Sequence, residues 1–147
     1  MFRNILIPTD GSPLATLAVD AGIAFAKDIG AKITVFTVTE PFDLVSIDAE
    51  QLASTREQYE ALSEVHAAEI LSAARAKAET AGVPCKTDQT RTHDIYRAIV
   101  RKAEDIGADL IVMSSHGRGG LGALVIGSIA AKVLTHSAIP VLVYRKK

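Results

Sequence analysis

Four short apolar runs punctuate the chain: Ile5-Leu6-Ile7, Ile33 to Val38, Leu110 to Met113 and Val141 to Tyr144. Each is too short for a helix and rich in β-branched residues, and runs of this kind mark strands covered on both faces, as in parallel sheets. Between them lie longer segments of helical composition. Strand and helix in alternation predict a doubly wound α/β fold with a parallel sheet.

The punctuation sharpens the element bounds. A first strand reads Phe2 to Pro8, followed by the turn Thr9-Asp10-Gly11. Ser12 can cap a helix and Pro13 suits its first turn, so a helix is expected from there to Ile29, ended by Gly30. After the strand Ile33–Val38, Glu40-Pro41 opens a loop reaching about Asp48. Residues 49–81 carry no Gly or Pro and read as helix, with a bend or break expected near Tyr59 because the segment is long. Pro84 to Thr90 reads as a polar edge strand. Asp94 opens a helix with the apolar stripe Ile95, Ile99, Ala103 and Ile106, closed by Gly107. A glycine-rich loop, Ser114 to Gly122, follows the fourth strand. The last helix is expected from Leu124 or Ser128 to His136.

At 147 residues the chain is expected to form one domain, 1–147. A formal charge of −1 argues against a globally basic nucleic-acid binder. The single cysteine, Cys85, alternates with Val83 and Thr87 as a buried strand thiol would, and suits a reducing compartment. With no signal-peptide pattern and no apolar stretch of about 20 residues, a cytoplasmic protein without membrane partners is expected. After Asp109 there is no acidic residue, while Arg118, Lys132, Arg145, Lys146 and Lys147 follow. That end would not repel an anion, although buried strands and a glycine loop leave little room for acids in any case.

In open parallel sheets, ligands bind beyond the carboxyl ends of the strands. The turn at Asp10 and the loop containing Gly117, Gly119, Gly120 and Gly122 both occupy such positions. Glycines let backbone N–H groups approach an anion, and Gly127-Ser128 stands where the last helix would offer its free N–H groups to phosphate. Two familiar glycine motifs fail. Gly117, Gly119 and Gly122 have dinucleotide-fold spacing, but no acid follows for the ribose. Gly122 and Gly127 have Walker A spacing, but Ser128-Ile129 replaces the required Lys and Ser or Thr. A receiver domain would need an acidic cluster that Asp10 lacks.

What fits is G-x-x-G, nine residues, then G-[ST]. Gly117 is followed by nine residues and then Gly127-Ser128, with Ser114 in place of the first glycine. Together with Ile5 to Ser12, Ala108 to Met113 and Pro140 to Val143, this chain resembles the nucleotide-binding universal stress proteins over essentially its whole length. The resemblance implies a five-stranded sheet of order 3-2-1-4-5, with helices on both faces. It implies that Asp10 and the backbone of Val38 hold adenosine, with Pro8 and Met113 beside base and sugar. Gly117, Gly127, Ser128 and the N–H of Ile129 would hold phosphate, and Ser114 would stand beside them. ATP, ADP or AMP, with or without magnesium, is the implied ligand, and a homodimer paired through the C-terminal strand the implied assembly.

The residues themselves leave roles open. Asp10 suits ribose hydroxyls, a base amine or magnesium, or it is a turn cap. Ser128 is a phosphate ligand, a helix cap or both. A positive φ at position 114 would strain serine; an extended one would not. Arg118 could neutralise a terminal phosphate or extend freely into solvent. His66, His93 and His136 lack metal-ligand spacing. Three functions compete: a nucleotide-responsive regulator, a slow ATPase or phosphotransferase for which His116 alone is a candidate catalyst, and a nucleotide-free interaction module.

Overall fold

The computed structural model describes residues 1–42, 49–117 and 126–146, and the side chains of all these except 49–54. Five strands form a single parallel sheet: β1 (Asn4–Pro8), β2 (Lys32–Thr39), β3 (Cys85–Arg91), β4 (Leu110–Ser114) and β5 (Val141–Tyr144), in the order β3-β2-β1-β4-β5. Among the described residues four helices connect them: α1 (Pro13–Ile29), α2 (Ala49–Ala81), α3 (Ile95–Asp105) and α4 (Ser128–His136). The expected fold class and strand order are both present.

Side-chain alternation along the central strands builds a core on each face. Ile5, Ile7, Ile33 and Val35 pack toward α1 and α2, with Val19, Ile23, Leu71 and Ala78. Leu6, Phe36, Ile111 and Met113 pack toward α3 and α4, with Ile99, Ala103 and Val133. Ile5, Leu6, Ile7 and Ile111 are wholly buried, and burying each stabilises the fold by roughly 1.5–3 kcal/mol. At the foot of the sheet, Asp109 accepts from the backbone N–H groups of Arg3 and Asn4 at 2.8 and 3.1 Å, tying β1 to the start of β4.

Helix α1 follows its sequence signals closely. Ser12 caps it by accepting from the N–H of Ala15 at 3.3 Å, and Gly30 ends it in the left-handed conformation at φ 70°. Helix α2 departs from expectation. It runs unbroken from Ala49 to Ala81, with no interruption at Tyr59. At 1.5 Å per residue it is about 50 Å long, whereas the eight residues of β2 span about 26 Å. Only its C-terminal part, through Ala67, Leu71, Ala74 and Ala78, packs into the core. Its N-terminal part overhangs the carboxyl ends of the strands.

Cys85 also departs from expectation. It is half-buried rather than buried, because β3 is the sheet edge and is covered on one face by α2 alone. Even so, burial pushes its thiol up from the ordinary value, with Glu79 adding to that and Arg75 opposing it.

A cleft at the carboxyl ends of β1, β2 and β4

The β1–α1 turn is held rigidly. The N–H of Thr9 donates to the carbonyl of Phe36 at 2.9 Å, and the Thr37 hydroxyl donates to the carbonyl of Thr9 at 3.0 Å. Beyond them, one carboxylate oxygen of Asp10 accepts from the N–H of Ser12 at 2.9 Å. The capping role considered for Asp10 is therefore real, and it engages Oδ1. The other oxygen stands against Gly117, where a Cβ would come within 2.4 Å of it. The two loops singled out in the sequence thus meet at a carboxylate–glycine contact. Gly11, at φ 77°, completes the turn under the side chain of Ile70.

On the other side, β4 delivers Ser114 in strand conformation, paired with Tyr144. A serine there is unstrained, and its hydroxyl donates to the carbonyl of His116 at 2.7 Å. The N–H of Gly127 donates to the carbonyl of Ser115 at 2.7 Å. A Cβ on Gly127 would stand 2.9 Å from that same oxygen, so close approach rather than positive φ requires glycine here. Gly127 is also the N-cap of α4, without a side-chain cap bond. Ser128 is therefore not the cap, and its hydroxyl is not used for capping. The first intrahelical bond runs from Ala131 to Gly127, at 2.9 Å. The N–H groups of Ser128, Ile129 and Ala130 consequently have no acceptor within the helix.

These pieces enclose a cavity of about 670 Å³, whose wall includes all nine positions singled out in the sequence: Pro8, Asp10, Val38, Met113, Ser114, Gly117, Gly127, Ser128 and Ile129. Arg118, Gly119, Gly120 and Gly122 lie outside the described residues, as does Leu124, the earlier of the two expected starts for the last helix. Sequence reasoning missed a whole wall. Tyr59, Ser63, His66 and Ile70 of α2 also line the cavity, as do Thr39 and Glu40 after β2.

The described lining contains no Lys or Arg, so the anion-seeking groups here are backbone N–H groups at a helix start. The close contacts of Gly117 with the Asp10 carboxylate and of Gly127 with the Ser115 carbonyl leave no room for a Cβ and bring the start of α4, with its N–H groups, to the cleft wall; those N–H groups suit a phosphate. Among the described residues no cluster of three or more His, Cys, Asp or Glu could hold a metal. Magnesium here would depend on Asp10 and on phosphate oxygens. His116 is pinned by Ser115, whose hydroxyl lies 3.0 Å from Nδ1, while its buried Nε2 has no hydrogen-bond partner among the described residues. A smaller cavity of about 390 Å³ lies between β3 and α3. It contains the Lys102–Asp88 ion pair and none of the nine positions.

The model of the universal stress protein family matches residues 1–145. The chain belongs to the universal stress protein family. It is 32% identical to universal stress protein MJ0531 of Methanocaldococcus jannaschii, over 99% of this chain and 84% of that protein. It is 30% identical to universal stress protein YxiE of Bacillus subtilis, over 99% of this chain and 100% of that one. Among solved structures, that of MJ0577 superposes with a TM-score of 0.83 at 26% identity, covering 100% of this chain and 98% of that one. A universal stress protein crystallised in complex with cAMP superposes with a TM-score of 0.72, also at 26% identity and covering 99% of each chain.

Proposed function

We propose that this universal stress protein binds an adenine nucleotide (ATP, ADP or AMP) in the cleft and acts as a nucleotide-responsive homodimeric regulator. The observation carrying the proposal is the start of α4 in the cleft wall: Gly127 lies against the Ser115 carbonyl, and the N–H groups of Ser128 and Ile129 have no acceptor within the helix. Phosphate binds at the helix start. Asp10 repels phosphate but accepts from ribose hydroxyls or a base amine, so the nucleoside lies on its side of the cleft. The cAMP complex of a relative supports the same ligand class. The reading assigns no catalytic residue and needs none.

The dimer forms through β5, an edge strand whose Leu142 is 41% exposed, since an apolar edge invites pairing. A single cysteine fits a reducing, cytoplasmic setting, and among the described residues no helix is long and apolar enough to cross a membrane. Calorimetry with ATP, ADP and AMP on wild type and Asp10→Asn tests the ligand. The variant should bind each more weakly; equal binding would remove Asp10 from the site. Sedimentation at micromolar concentration should show a dimer, and a monomer would refute the assembly. Gly117→Leu is a poor probe, because its side chain would displace the Asp10 carboxylate as well as block phosphate.

A further inference from the structure

The overhang of α2 is fixed at two levels. Low on the helix, Ile70 presses onto Gly11, where a Cβ would come within 2.6 Å of its Cδ1. Higher up, Arg91 pairs in register with Thr39 and bridges Glu60 and Glu64 at 3.4 and 3.0 Å. That bridge sets residues 60–64 level with the end of β2. Between and just above these anchors, Tyr59, Ser63, His66 and Ile70 recur at the spacing of one helical stripe, and all four line the cleft. Tyr59 therefore faces the same chamber as Val38, at the level where β2 ends. Tyr59 is 40% exposed, and its ring lies beside that of Phe42, with centroids 5.1 Å apart and planes at 50°. A half-exposed aromatic, held by a second ring and lining a ligand cleft, has the geometry of a stacking surface.

We infer that Tyr59 is the stacking platform for the nucleotide's base, with Phe42 holding its ring in place. The inference rests on the nucleotide reading above and adds the element that binds the base: the overhanging wall of α2. The platform recognises a flat heteroaromatic ring, and ribose or phosphate alone makes no use of it.

Tyrosine emission tests this directly, because the chain has no tryptophan and three tyrosines, of which Tyr96 and Tyr144 do not line the cleft. AMP should quench the emission of wild type and leave that of Tyr59→Phe unchanged, while Tyr59→Phe keeps wild-type affinity by calorimetry. Tyr59→Ala should weaken AMP and adenosine by roughly ten- to a hundredfold and leave ribose 5-phosphate binding unaltered. Tyr59 is half-exposed, and an unchanged melting temperature confirms that the variant is folded. Saturation of wild type by AMP without quenching, or equal AMP affinity in Tyr59→Ala, overturns the platform and leaves the nucleotide reading standing. Failure of wild type to bind any of AMP, ADP and ATP overturns both.

Discussion

Ser128→Asp separates the phosphate site from the integrity of the fold, because it should move binding and stability in opposite directions. Ser128 is the first residue of α4, exposed, and free of the capping role that Gly127 fills. An aspartate there faces the positive end of the helix dipole, which favours an acid by about 0.3–1 kcal/mol. For a chain of this size that raises the melting temperature by about 1–4 °C. The same carboxylate would stand near a phosphate held by the N–H groups of Ser128 and Ile129. At about 4 Å and an effective dielectric between 20 and 80, the repulsion is roughly 1–4 kcal/mol. That corresponds to about a five- to thousandfold loss of AMP affinity, shrinking as salt rises. Adenosine, which has no phosphate, should bind as it does to wild type. Thermal denaturation followed by calorimetry with both ligands reads all of these quantities. The reasoning is refuted if AMP binds the variant normally, or if AMP and adenosine are lost together with stability.

Two further perturbations probe the frame around the cleft. Gly127→Ala puts a Cβ 2.9 Å from the Ser115 carbonyl, an overpacking that should destabilise the protein by about 1–3 kcal/mol; a melting temperature within 1 °C of wild type, roughly the resolution of the method, would show that the β4–α4 junction yields without strain. The hydrogen bond from Lys102 holds the Asp88 carboxyl below its usual range, against the opposing effect of burial. A depressed carboxyl contributes stability that is present above its unfolded pKa, about 3.9, and lost as pH falls through the folded value. Wild type should therefore exceed Asp88→Asn in melting temperature by a constant margin from about pH 5 to 8, narrowing below about pH 4; a margin independent of pH would refute the assignment.

Much of this architecture was legible because its signals are local. The apolar runs at Ile5–Ile7 and Leu110–Met113, the cap at Ser12 and the left-handed stop at Gly30 each depend on a few neighbouring residues. Asp10, Gly117, Gly127 and Ser128 were legible for a related reason, since strand ends and helix starts carry the glycines and small polar residues that such geometry requires, whereas Pro8, Val38, Met113 and Ile129 followed only from the family resemblance. The wall built by α2 was not. Leu62 and Val65 are exposed, and Ala67, Ala74 and Ala78 pack with little apolar contrast, so the sequence shows no clear inward face. What orients Tyr59 toward the cleft is a pair of distant anchors, Arg91 on β3 and Gly11 after β1. Length alone suggested a break near Tyr59, but tertiary contacts carry the helix through. The conformation at Ser114 and the cap of α4 also needed the three-dimensional structure, since strand pairing with Tyr144 fixes the first and Gly127 supplies the second.

The central claim, that nucleotide phosphate sits on the first turn of α4, is tested most directly by amide NMR. On saturation with AMP, the N–H resonances of Ser128, Ile129 and Gly117 should shift strongly, whereas adenosine should shift Val38 and leave Ser128 and Ile129 in place. AMP bound with the Ser128 and Ile129 amides unmoved, or no binding of AMP, ADP or ATP, would contradict the account.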